Sequence, residues 1–240
     1  MAIPSEKQLI EAACHFGHRK EKWNPKMAPF LYGTRKGIHI FDLTQTHKQL
    51  QKVCDALKKF QSEGKTILFV STKQQSIPLI EKLAGNLNQP MVTKKWIPGL
   101  LTNWPTLKRR LRYYLDLQNS FKTGDIEKYT KKEQTYLRKQ LAKLDNALSG
   151  VAKMNGLPDA VFVVDAIRDR VAVLEAAKLK LPLFGICDSN ADPDHFTAFI
   201  PANDDAVKSI SMILSAIEGE LQDASPKKKE IMKDDELVAA

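Results

Sequence analysis

Two short apolar runs decide the fold: Thr66-Ile-Leu-Phe-Val70 and, further along the chain, Ala160-Val-Phe-Val-Val164. Each run is continuous rather than alternating, which is typical of strands covered on both faces of a parallel sheet. Two more apolar strands are predicted at 183–186 and 199–200, with amphipathic helices between the strands. Strands that alternate with helices predict an α/β fold with a parallel sheet.

The elements around these strands begin and end at local signals. Ser5 with Gln8 three residues later resembles a capping box, which opens a short helix through about Cys14. Gly64 ends a longer helix whose apolar residues recur at helical spacing. The remaining predictions are a strand at 38–41 and helices at 44–61, 75–87, 170–179 and 204–218.

Residues 105–150 interrupt this alternation, because they contain no strand candidate and their apolar residues recur at helical spacing. Pro105 suits the first turn of a helix, and Thr130 with Glu133 forms a capping box that opens a second helix after a turn at 122–125. These signals predict an antiparallel helical hairpin inserted in the α/β domain. Its apolar stripes are Leu107, Leu111, Tyr114, Leu115 and Phe121 on the first helix, and Leu137, Leu141, Leu144 and Leu148 on the second.

The charge of the chain is unevenly distributed. The 240 residues include 37 Lys and Arg against 28 Asp and Glu, a formal net charge of +9 at pH 7. Residues 94–143 hold 13 basic and 4 acidic side chains, whereas residues 144–240 hold 10 and 17. This polarity favours a nucleic-acid partner on one side of the molecule and an acidic third that faces solvent or a neighbouring protein. The alternative is a solvated basic face that only keeps the protein soluble.

Several classes of protein are excluded by composition. The longest apolar runs end after about five residues, far short of the roughly 20 that a membrane-spanning helix needs. The N-terminus shows no basic stretch followed by an apolar one, so a cytosolic chain is expected. Cys14, Cys54 and Cys187 form no CxxC pair and indicate neither a disulfide scaffold nor a zinc site. Residues 222–240 have little apolar content and are expected to be a disordered tail.

The sequence contains neither a GxxxxGK[ST] loop nor a GxGxxG turn after a parallel strand. Asp165, Asp188 and Ser71 do follow strands, at the edge where open α/β sheets bind ligands. They leave open a small α/β enzyme or a nucleotide-binding protein, although an Asp at a strand end also caps the next helix or turn. Cys14 lies near His15 and His18 as a nucleophile would, but no carboxylate to orient a base follows locally.

We expect no cofactor. Carboxylates at Asp192 and Asp194, and at Asp204 and Asp205, could together gather a structural Mg²⁺, because hard cations take carboxylate oxygens. Turn and N-cap roles are the alternative for all four.

Five motifs occur in order between residue 8 and about residue 218. The first is His15-Phe-Gly-His-Arg-Lys-Glu-Lys-Trp-Asn-Pro-Lys-Met-Ala-Pro-Phe-Leu-Tyr-Gly-Thr-Arg-Lys-Gly-Ile-His-Ile40. The others are Ile67-Leu-Phe-Val-Ser-Thr-Lys73, Trp96-Ile-Pro-Gly-Leu-Leu-Thr-Asn103, Gly156-Leu-Pro-Asp-Ala-Val-Phe-Val-Val-Asp165, and Asp192-Pro-Asp194 with Ile200-Pro-Ala-Asn-Asp-Asp205. With these motifs the sequence resembles the family of small-ribosomal-subunit protein number two, bacterial type.

The resemblance implies a flavodoxin-like three-layer α/β/α domain formed by residues 1–104 and 151–221, with residues 105–150 as a protruding coiled coil. It also implies a structural constituent of the ribosome without catalytic activity. Such a protein sits on the solvent side between head and body, near the mRNA exit, as a monomer within the ribosome. Its implied partners are small-subunit rRNA, small-subunit protein number one, which it helps to recruit, and neighbouring small-subunit proteins, but no membrane.

An rRNA-binding protein needs Lys and Arg to neutralise phosphates, and aromatic side chains to stack on exposed bases. Residues 16–40 interleave the two kinds, and the combination recurs just before the hairpin. Anchoring of the loop on the core is the alternative for Trp23 and Phe30. The predicted rRNA-binding residues are Arg19, Lys20, Lys22, Trp23, Asn24, Lys26, Arg35, Lys36, Lys94, Lys95, Trp96, Asn103, Lys108, Arg109 and Arg110.

Overall fold

The computed structural model describes residues 3–224, which form two sheets and seven α-helices with short 3₁₀ turns between them. The helices are α1 (Glu6–Glu11), α2 (Leu43–Ser62), α3 (Ile77–Leu87), α4 (Trp104–Thr123), α5 (Lys131–Leu148), α6 (Arg170–Lys178) and α7 (Val207–Ala224). The strands are β1 (Phe16–Arg19), β2 (Leu31–Arg35), β3 (Ile38–Phe41), β4 (Ile67–Val70), β5 (Met91–Val92), β6 (Ala160–Val163), β7 (Leu183–Cys187) and β8 (Ala198–Pro201).

The larger sheet has the order β5-β4-β6-β7-β8, and all its neighbouring strands run parallel. Numbered along the chain within this sheet, the order is 2-1-3-4-5, which is that of flavodoxin-like doubly wound folds. The predicted α/β fold with a parallel sheet is therefore confirmed. In this fold ligands bind beyond the carboxyl ends of the strands, so this edge is the first place to look for a site.

Each strand of the larger sheet sends alternate side chains to opposite faces, because the strand period is two. Ile67 and Phe69 pack with α1, α2, α3 and α7 on one face. Leu68 and Val70 pack with α4, α6 and the end of α5 on the other. Two apolar cores with the sheet between them make three layers, and both faces of the sheet are dry. Continuous apolar strands are what this arrangement requires.

The predicted helices and apolar strands all occur, with boundaries that differ by up to six residues. The Ser5 and Gln8 capping box is formed, although α1 ends at Glu11 rather than near Cys14. The Thr130 and Glu133 capping box is formed at the start of α5. Helix α7 extends to Ala224, so the first residues of the predicted tail at 222–240 are helical, and the rest of that tail lies outside the described residues.

Three strands were not expected. β1 and β2 lie in a stretch that is rich in glycine, proline and charge, and β5 has only two residues. The strand predicted at 38–41 exists as β3, but it joins β1 and β2 in a separate antiparallel sheet instead of the parallel one. The smaller sheet is defined by the pairing of its strands, which the pattern of apolar residues in the sequence does not reveal.

Helices α4 and α5 occupy the region predicted as the hairpin. Tyr113 Oη donates to Gln140 Oε1 at 3.2 Å, and Tyr114 Oη donates to Asp145 Oδ1 at 2.7 Å. The apolar stripe of α4 differs in one detail, since Leu117 is buried and Leu115 is exposed. Among residues 3–224, the helices include none that is long and apolar enough to cross a membrane.

Candidate nucleic-acid interface

The smaller sheet carries the basic N-terminal segment. β3 is its central strand and pairs antiparallel with both β1 and β2. Arg35 and Ile38 pair across a two-residue turn in which Lys36 and Gly37 have φ of 51° and 76°. Turns with two positive φ values match the twist of hairpin strands, and glycine adopts them at little cost. The turn places Lys36 at the tip of the β2–β3 hairpin.

The smaller sheet is fixed against the carboxyl edge of the parallel sheet. Gly17 lies so close to Ser189, just after β7, that a Cβ at position 17 would approach the Ser189 Oγ to 2.9 Å. The His18 N–H donates to that Oγ at 2.8 Å, and the Asn24 N–H donates to the Ser189 carbonyl at 2.7 Å. The contact is completed by a small apolar cluster of Met27, Phe41, Ala166, Cys187 and Ala191.

Five of the predicted rRNA-binding residues extend into solvent from this sheet and from the turns beside it. Among residues 3–224, no carboxylate lies within 4.0 Å of their charged nitrogen atoms. Because the scaffold is held by backbone and core contacts, it does not use these charges itself. Unpaired surface cations raise the local positive potential and are available to phosphate oxygens. The five residues are Arg19, Lys20, Lys22, Arg35 and Lys36.

Trp23 is both anchored and partly exposed. Its ring packs on His39 with the centroids 5.1 Å apart and 37% of the residue still accessible to solvent. Asn24 has a structural role, since its Oδ1 accepts from the Lys26 N–H and caps the following 3₁₀ turn. Phe30 packs edge to face on Phe199, which matches the anchoring alternative for this residue.

Lys26 differs from the other basic residues of the segment, because its charge is already paired. Its Nζ lies 3.0 Å from the Asp192 carboxylate and 2.5 Å from the Asp194 carboxylate. Hydrogen bonds to Asp194 and Asp192 raise the pKa of Lys26, and hydrogen bonds to Lys26 and the Asp194 N–H hold the pKa of Asp192 low despite its partial burial. The side chain ties the N-terminal segment to the loop after β7, so a phosphate would have to compete with two carboxylates for it.

Trp96 is buried in the core and bonded to α6. It is only 7% exposed, and its Nε1 donates to Glu175 Oε1 at 2.9 Å. The same carboxylate accepts from the N–H groups of Gly99, Leu101 and Thr102 and from the Thr102 hydroxyl. Burial would raise the pKa of Glu175, but these hydrogen bonds outweigh it and hold the pKa below its ordinary value. One carboxylate on α6 thus fixes the loop that leads into α4.

The remaining predicted residues lie before α4 and on its first turns, and all are exposed. Lys94 Nζ donates to Asn146 Oδ1 at 2.6 Å, which links the loop after β5 to α5. Asn103 is the N-cap of α4, although its side chain makes no capping hydrogen bond. Within the described residues, no carboxylate pairs with the other cations of this group, which are Lys95, Lys108, Arg109 and Arg110.

The carboxyl edge of the parallel sheet, where a ligand would bind, is filled by the chain's own charges. The Lys73 Nζ lies after β4, and it is 3.0 Å from the Asp165 carboxylate, 2.8 Å from Asp204 and 2.7 Å from Asp205. His18 of β1 adds a second cationic group, with its Nδ1 3.0 Å from Asp188 Oδ1. This cluster could not be recognised from the sequence, because its members come from β1 and from the loops after β4, β6, β7 and β8.

The pKa values at this edge reflect a crowded and buried set of charges. Burial alone would lower the pKa of Lys73, but the charges of Asp204, Asp205 and Asp165 outweigh it and raise the pKa. Burial and the neighbouring carboxylates raise the pKa of Asp204 to about 7. The hydrogen bond to Asp188 raises the pKa of His18. Each carboxylate of the cluster contacts Lys73 or His18, so none of them is free to react, and the cluster as a whole keeps an excess of negative charge.

The three residues after strands that left an enzyme open all bind other groups of the protein. Asp165 Oδ1 accepts from the N–H groups of Ile167 and Arg168 at 3.0 and 2.8 Å, so it caps the turn before α6. Asp188 accepts from the hydroxyl of Ser189 and contacts His18. Ser71 exchanges a hydrogen bond with the hydroxyl of Ser76. Asp165 therefore has the capping role that the sequence analysis gave as the alternative, whereas Asp188 and Ser71 bind neighbouring side chains.

Cys14, His15 and His18 do not form a reactive group together. Burial raises the pKa of the Cys14 thiol, which disfavours the thiolate that a nucleophile needs. Burial lowers the pKa of His15, which packs on Phe16 with the ring centroids 4.0 Å apart. His18 is engaged with Asp188.

The four carboxylates considered for Mg²⁺ divide between two lysines. Asp192 and Asp194 face Lys26, whereas Asp204 and Asp205 face Lys73. Within residues 3–224, no group of three or more His, Cys, Asp and Glu side chains is arranged to hold a metal ion. The ammonium groups occupy the positions in which a cation would neutralise these carboxylates.

Together these features define a class of protein. It is a basic α/β protein whose ligand edge is closed by internal ion pairs and whose exposed cations are held outward on a rigid scaffold. Residues 9–224 match a family model described as Ribosomal protein S2. The chain therefore belongs to the ribosomal protein S2 family, whose members are structural constituents of the ribosome rather than enzymes.

Curated relatives agree with the family. The chain is 44% identical over 221 residues to a protein of Rhodospirillum rubrum named small ribosomal subunit protein uS2, covering 91% of this chain and 84% of that protein. A protein of the same name from Bacteroides fragilis is 42% identical over 208 residues, covering 87% and 75%. A protein of Rhodomonas salina named small ribosomal subunit protein uS2c is 42% identical over 217 residues, covering 90% and 89%. The family indicated by the five sequence motifs is confirmed.

Proposed function

We propose that the chain is a structural protein of the small ribosomal subunit that binds rRNA through two groups of exposed cations. One group lies on the N-terminal sheet, which is the smaller sheet of β1, β2 and β3 with the turns beside it, and the other lies on the first turns of α4. As a ribosomal protein it works within the ribosome, in the cytoplasm. The supporting observation is the set of unpaired cations on β1, β2 and the turns beside them, held outward by contacts that do not involve their charges. Lys and Arg in such positions neutralise phosphates.

The competing function, a small α/β enzyme or nucleotide-binding protein, would use the carboxyl edge of the sheet. Lys73, His18 and four aspartates fill that edge with mutual ion pairs. A phosphate ligand there would have to displace three carboxylates from Lys73 and approach the remaining negative charge. This cost favours a role for the edge in stability.

Residues 105–150 are proposed to form the antiparallel coiled coil implied by the resemblance. The half-buried leucines of α5 and the cross-helix hydrogen bonds from Tyr113 and Tyr114 support this. The exposed faces of both helices are basic, so the coiled coil would extend the rRNA-binding surface.

The same proposal includes the location and the partners that the family resemblance implies. They are a position on the solvent side between head and body near the mRNA exit, and a contribution to the recruitment of small-subunit protein number one. Neighbouring small-subunit proteins would contact the surfaces that the basic face leaves free.

Binding to small-subunit rRNA at several salt concentrations tests the proposal. If roughly six or more phosphates are contacted, affinity should fall about 10³-fold or more between 50 and 200 mM salt. The purified chain should also co-sediment with small subunits that lack it. A nearly flat salt response, or failure to sediment with the subunit, would contradict the proposal.

A further inference from the structure

A groove on the surface of α4 and α5 combines aromatic and basic side chains. It has a volume of about 410 Å³, within the range of sites that hold small molecules. The groove is lined by Arg110 and Tyr113 from α4, and by Tyr136, Lys139, Gln140, Lys143 and Leu144 from α5.

Two tyrosines in this groove keep their rings largely in solvent. Tyr113 is 46% exposed and Tyr136 is 61% exposed, so neither contributes much to the apolar contact between the helices. Gln140 joins them: its Oε1 accepts from the Tyr113 hydroxyl at 3.2 Å, and its Nε2 donates to the Tyr136 hydroxyl at 2.5 Å. The amide of Gln140 binds both hydroxyl groups, while about half of each tyrosine remains exposed to solvent.

The charged side chains that line the groove all have the same sign. Arg110, Lys139 and Lys143 line the groove, and no carboxylate among the described residues lines it with them. None of the three cations has an ion-pair partner within residues 3–224. A polyanion is therefore the complementary occupant, and the exposed rings require that this polyanion also carry flat groups that can stack.

We propose that this groove binds a single-stranded segment of rRNA by stacking unpaired bases on Tyr113 and Tyr136 while Arg110, Lys139 and Lys143 contact the flanking phosphates. In an A-form duplex the base faces are buried in the helical stack, so a duplex would meet the cations but not the rings. An acidic peptide would do the same. Base stacking on aromatic side chains is the main means by which proteins hold single strands without reading their sequence. The proposal rests on the rRNA-binding function proposed above and specifies the form of RNA.

The test compares single-stranded and duplex RNA of the same base composition, each labelled with a fluorophore, as ligands of the full chain at fixed salt. Tyr113→Leu with Tyr136→Leu should lower the affinity for the single strand about tenfold or more and leave the affinity for the duplex unchanged. The salt dependence of single-strand binding should also be unchanged, because no charge is removed. Tyr113→Phe with Tyr136→Phe keeps both rings and should retain most of the affinity, which separates stacking from a general change in the helices.

Tyr129→Leu is the matched control, because Tyr129 is an exposed tyrosine between the same two helices but outside the groove. An unchanged single-strand affinity in the double Leu variant would overturn the proposal, as would an equal loss for duplex RNA or for Tyr129→Leu. Displacement of the single strand by polyglutamate at equal charge concentration would overturn it in favour of an acidic partner. If the wild-type chain fails to bind small subunits at all, the proposed function fails. If it binds them but the double Leu variant binds single-stranded RNA as tightly as wild type, the proposed function stands and only the role given to the groove is wrong.

Discussion

Lys73 is the residue on which the carboxyl edge of the sheet depends most. Its ammonium group is shared by three carboxylates, two of which, on Asp165 and Asp204, are almost fully buried. Lys73→Met would leave those two charges without their cation, and breaking a buried ion pair in this way costs about 3 to 5 kcal/mol of unfolding free energy. Urea unfolding measures the loss. Lys82→Met, at an exposed lysine of α3, is the control, and a loss of under about 1 kcal/mol at Lys73 would contradict this view of the cluster.

The same cluster gives the protein a pH-dependent stability. The pKa of Asp204 is raised from 3.8 to about 7, and that of His18 is raised above 6.5, so the folded state binds both protons more tightly than the unfolded state. The stabilisation from Asp204 is complete below pH 3.8 and disappears as the pH rises through about 7, and that from His18 is complete below pH 6.5 and disappears above it. His15, whose pKa is lowered by burial, contributes in the opposite direction, but the shift of Asp204 is the larger one. Unfolding free energy should therefore fall between about pH 5 and pH 8, by a few kcal/mol.

Urea unfolding at about pH 5, 6.5 and 8 checks this prediction, with Asp204→Asn as the informative variant. Asparagine cannot titrate, so the variant should show a much flatter dependence. Glu175 and Asp205 have lowered pKa values, and their contributions are lost only as the pH falls below their ordinary values of 4.5 and 3.8, outside this window. A wild-type stability that rises from pH 5 to pH 8 would show that the sign is wrong.

Single residues differ in how far their roles could be predicted from the sequence. An Asp directly after a buried strand, such as Asp165, signals a cap because the groups it binds are two and three residues away. Lys73 and Asp204 are 131 residues apart, and Trp96 and Glu175 are 79 apart. Such pairs depend on which strands are neighbours in the fold. From the sequence, Trp96 could therefore be recognised only as an aromatic residue beside two lysines, and its bond to Glu175 could not be predicted.

Among the elements, the entry of the chain into α4 is controlled by Glu175 on α6. Its two oxygens accept five hydrogen bonds from Trp96, Gly99, Leu101 and Thr102. Glu175→Gln replaces one acceptor by a donor that faces other donors, and should lower unfolding free energy by about 2 to 3 kcal/mol. Trp96 fluorescence should shift to longer wavelength as the loop opens to water.

The fluorescence experiment needs a background in which Trp96 is the remaining indole, with Trp23→Phe and Trp104→Phe, because the chain has three tryptophans. Glu11→Gln, at an exposed glutamate of α1, controls for the loss of a negative charge. An unchanged emission spectrum together with an unchanged urea midpoint in Glu175→Gln would contradict the role given to this carboxylate.

Elements built from local signals were predictable, and elements built from pairing were not. The capping boxes that open α1 and α5 each lie within four residues, and the apolar runs of β4 and β6 are complete in themselves. β5 has two residues and exists because Phe69 and Val70 of β4 lie beside it. β1 and β2 have mixed polar and half-buried residues and depend on β3 between them.

At the scale of the whole molecule, the acidic balance of residues 144–240 does not become an acidic surface in the way its composition indicates. Five of its carboxylates are buried and paired or hydrogen-bonded within the fold. Most of the basic residues of 94–143 remain on the surface. The described part of the molecule therefore exposes more of its positive than of its negative charge. The buried acids are Asp165, Asp169, Glu175, Asp188 and Asp204.

The last prediction concerns which face of the molecule meets rRNA. Arg19→Glu, Lys22→Glu and Lys36→Glu reverse three unpaired charges on the N-terminal sheet, whereas Lys26 is a poor choice because Asp192 and Asp194 already neutralise it. Each change removes an attraction to phosphate and adds a repulsion, so affinity for small subunits should fall about tenfold or more and the salt dependence should weaken.

The control makes the same change in net charge on the opposite side of the parallel sheet from α4 and α6, with Lys48→Glu, Lys52→Glu and Lys82→Glu on α2 and α3. Occupancy of each triple variant on purified small subunits, measured by mass spectrometry at fixed salt, reports the result. Repulsion that acts only through net charge would reduce both variants equally, because each carries the same total charge. A loss confined to the N-terminal variant requires those three side chains to lie close to phosphate. If the variant in α2 and α3 no longer binds the subunit while the N-terminal variant is retained, the face formed by α2 and α3 is the one that meets rRNA.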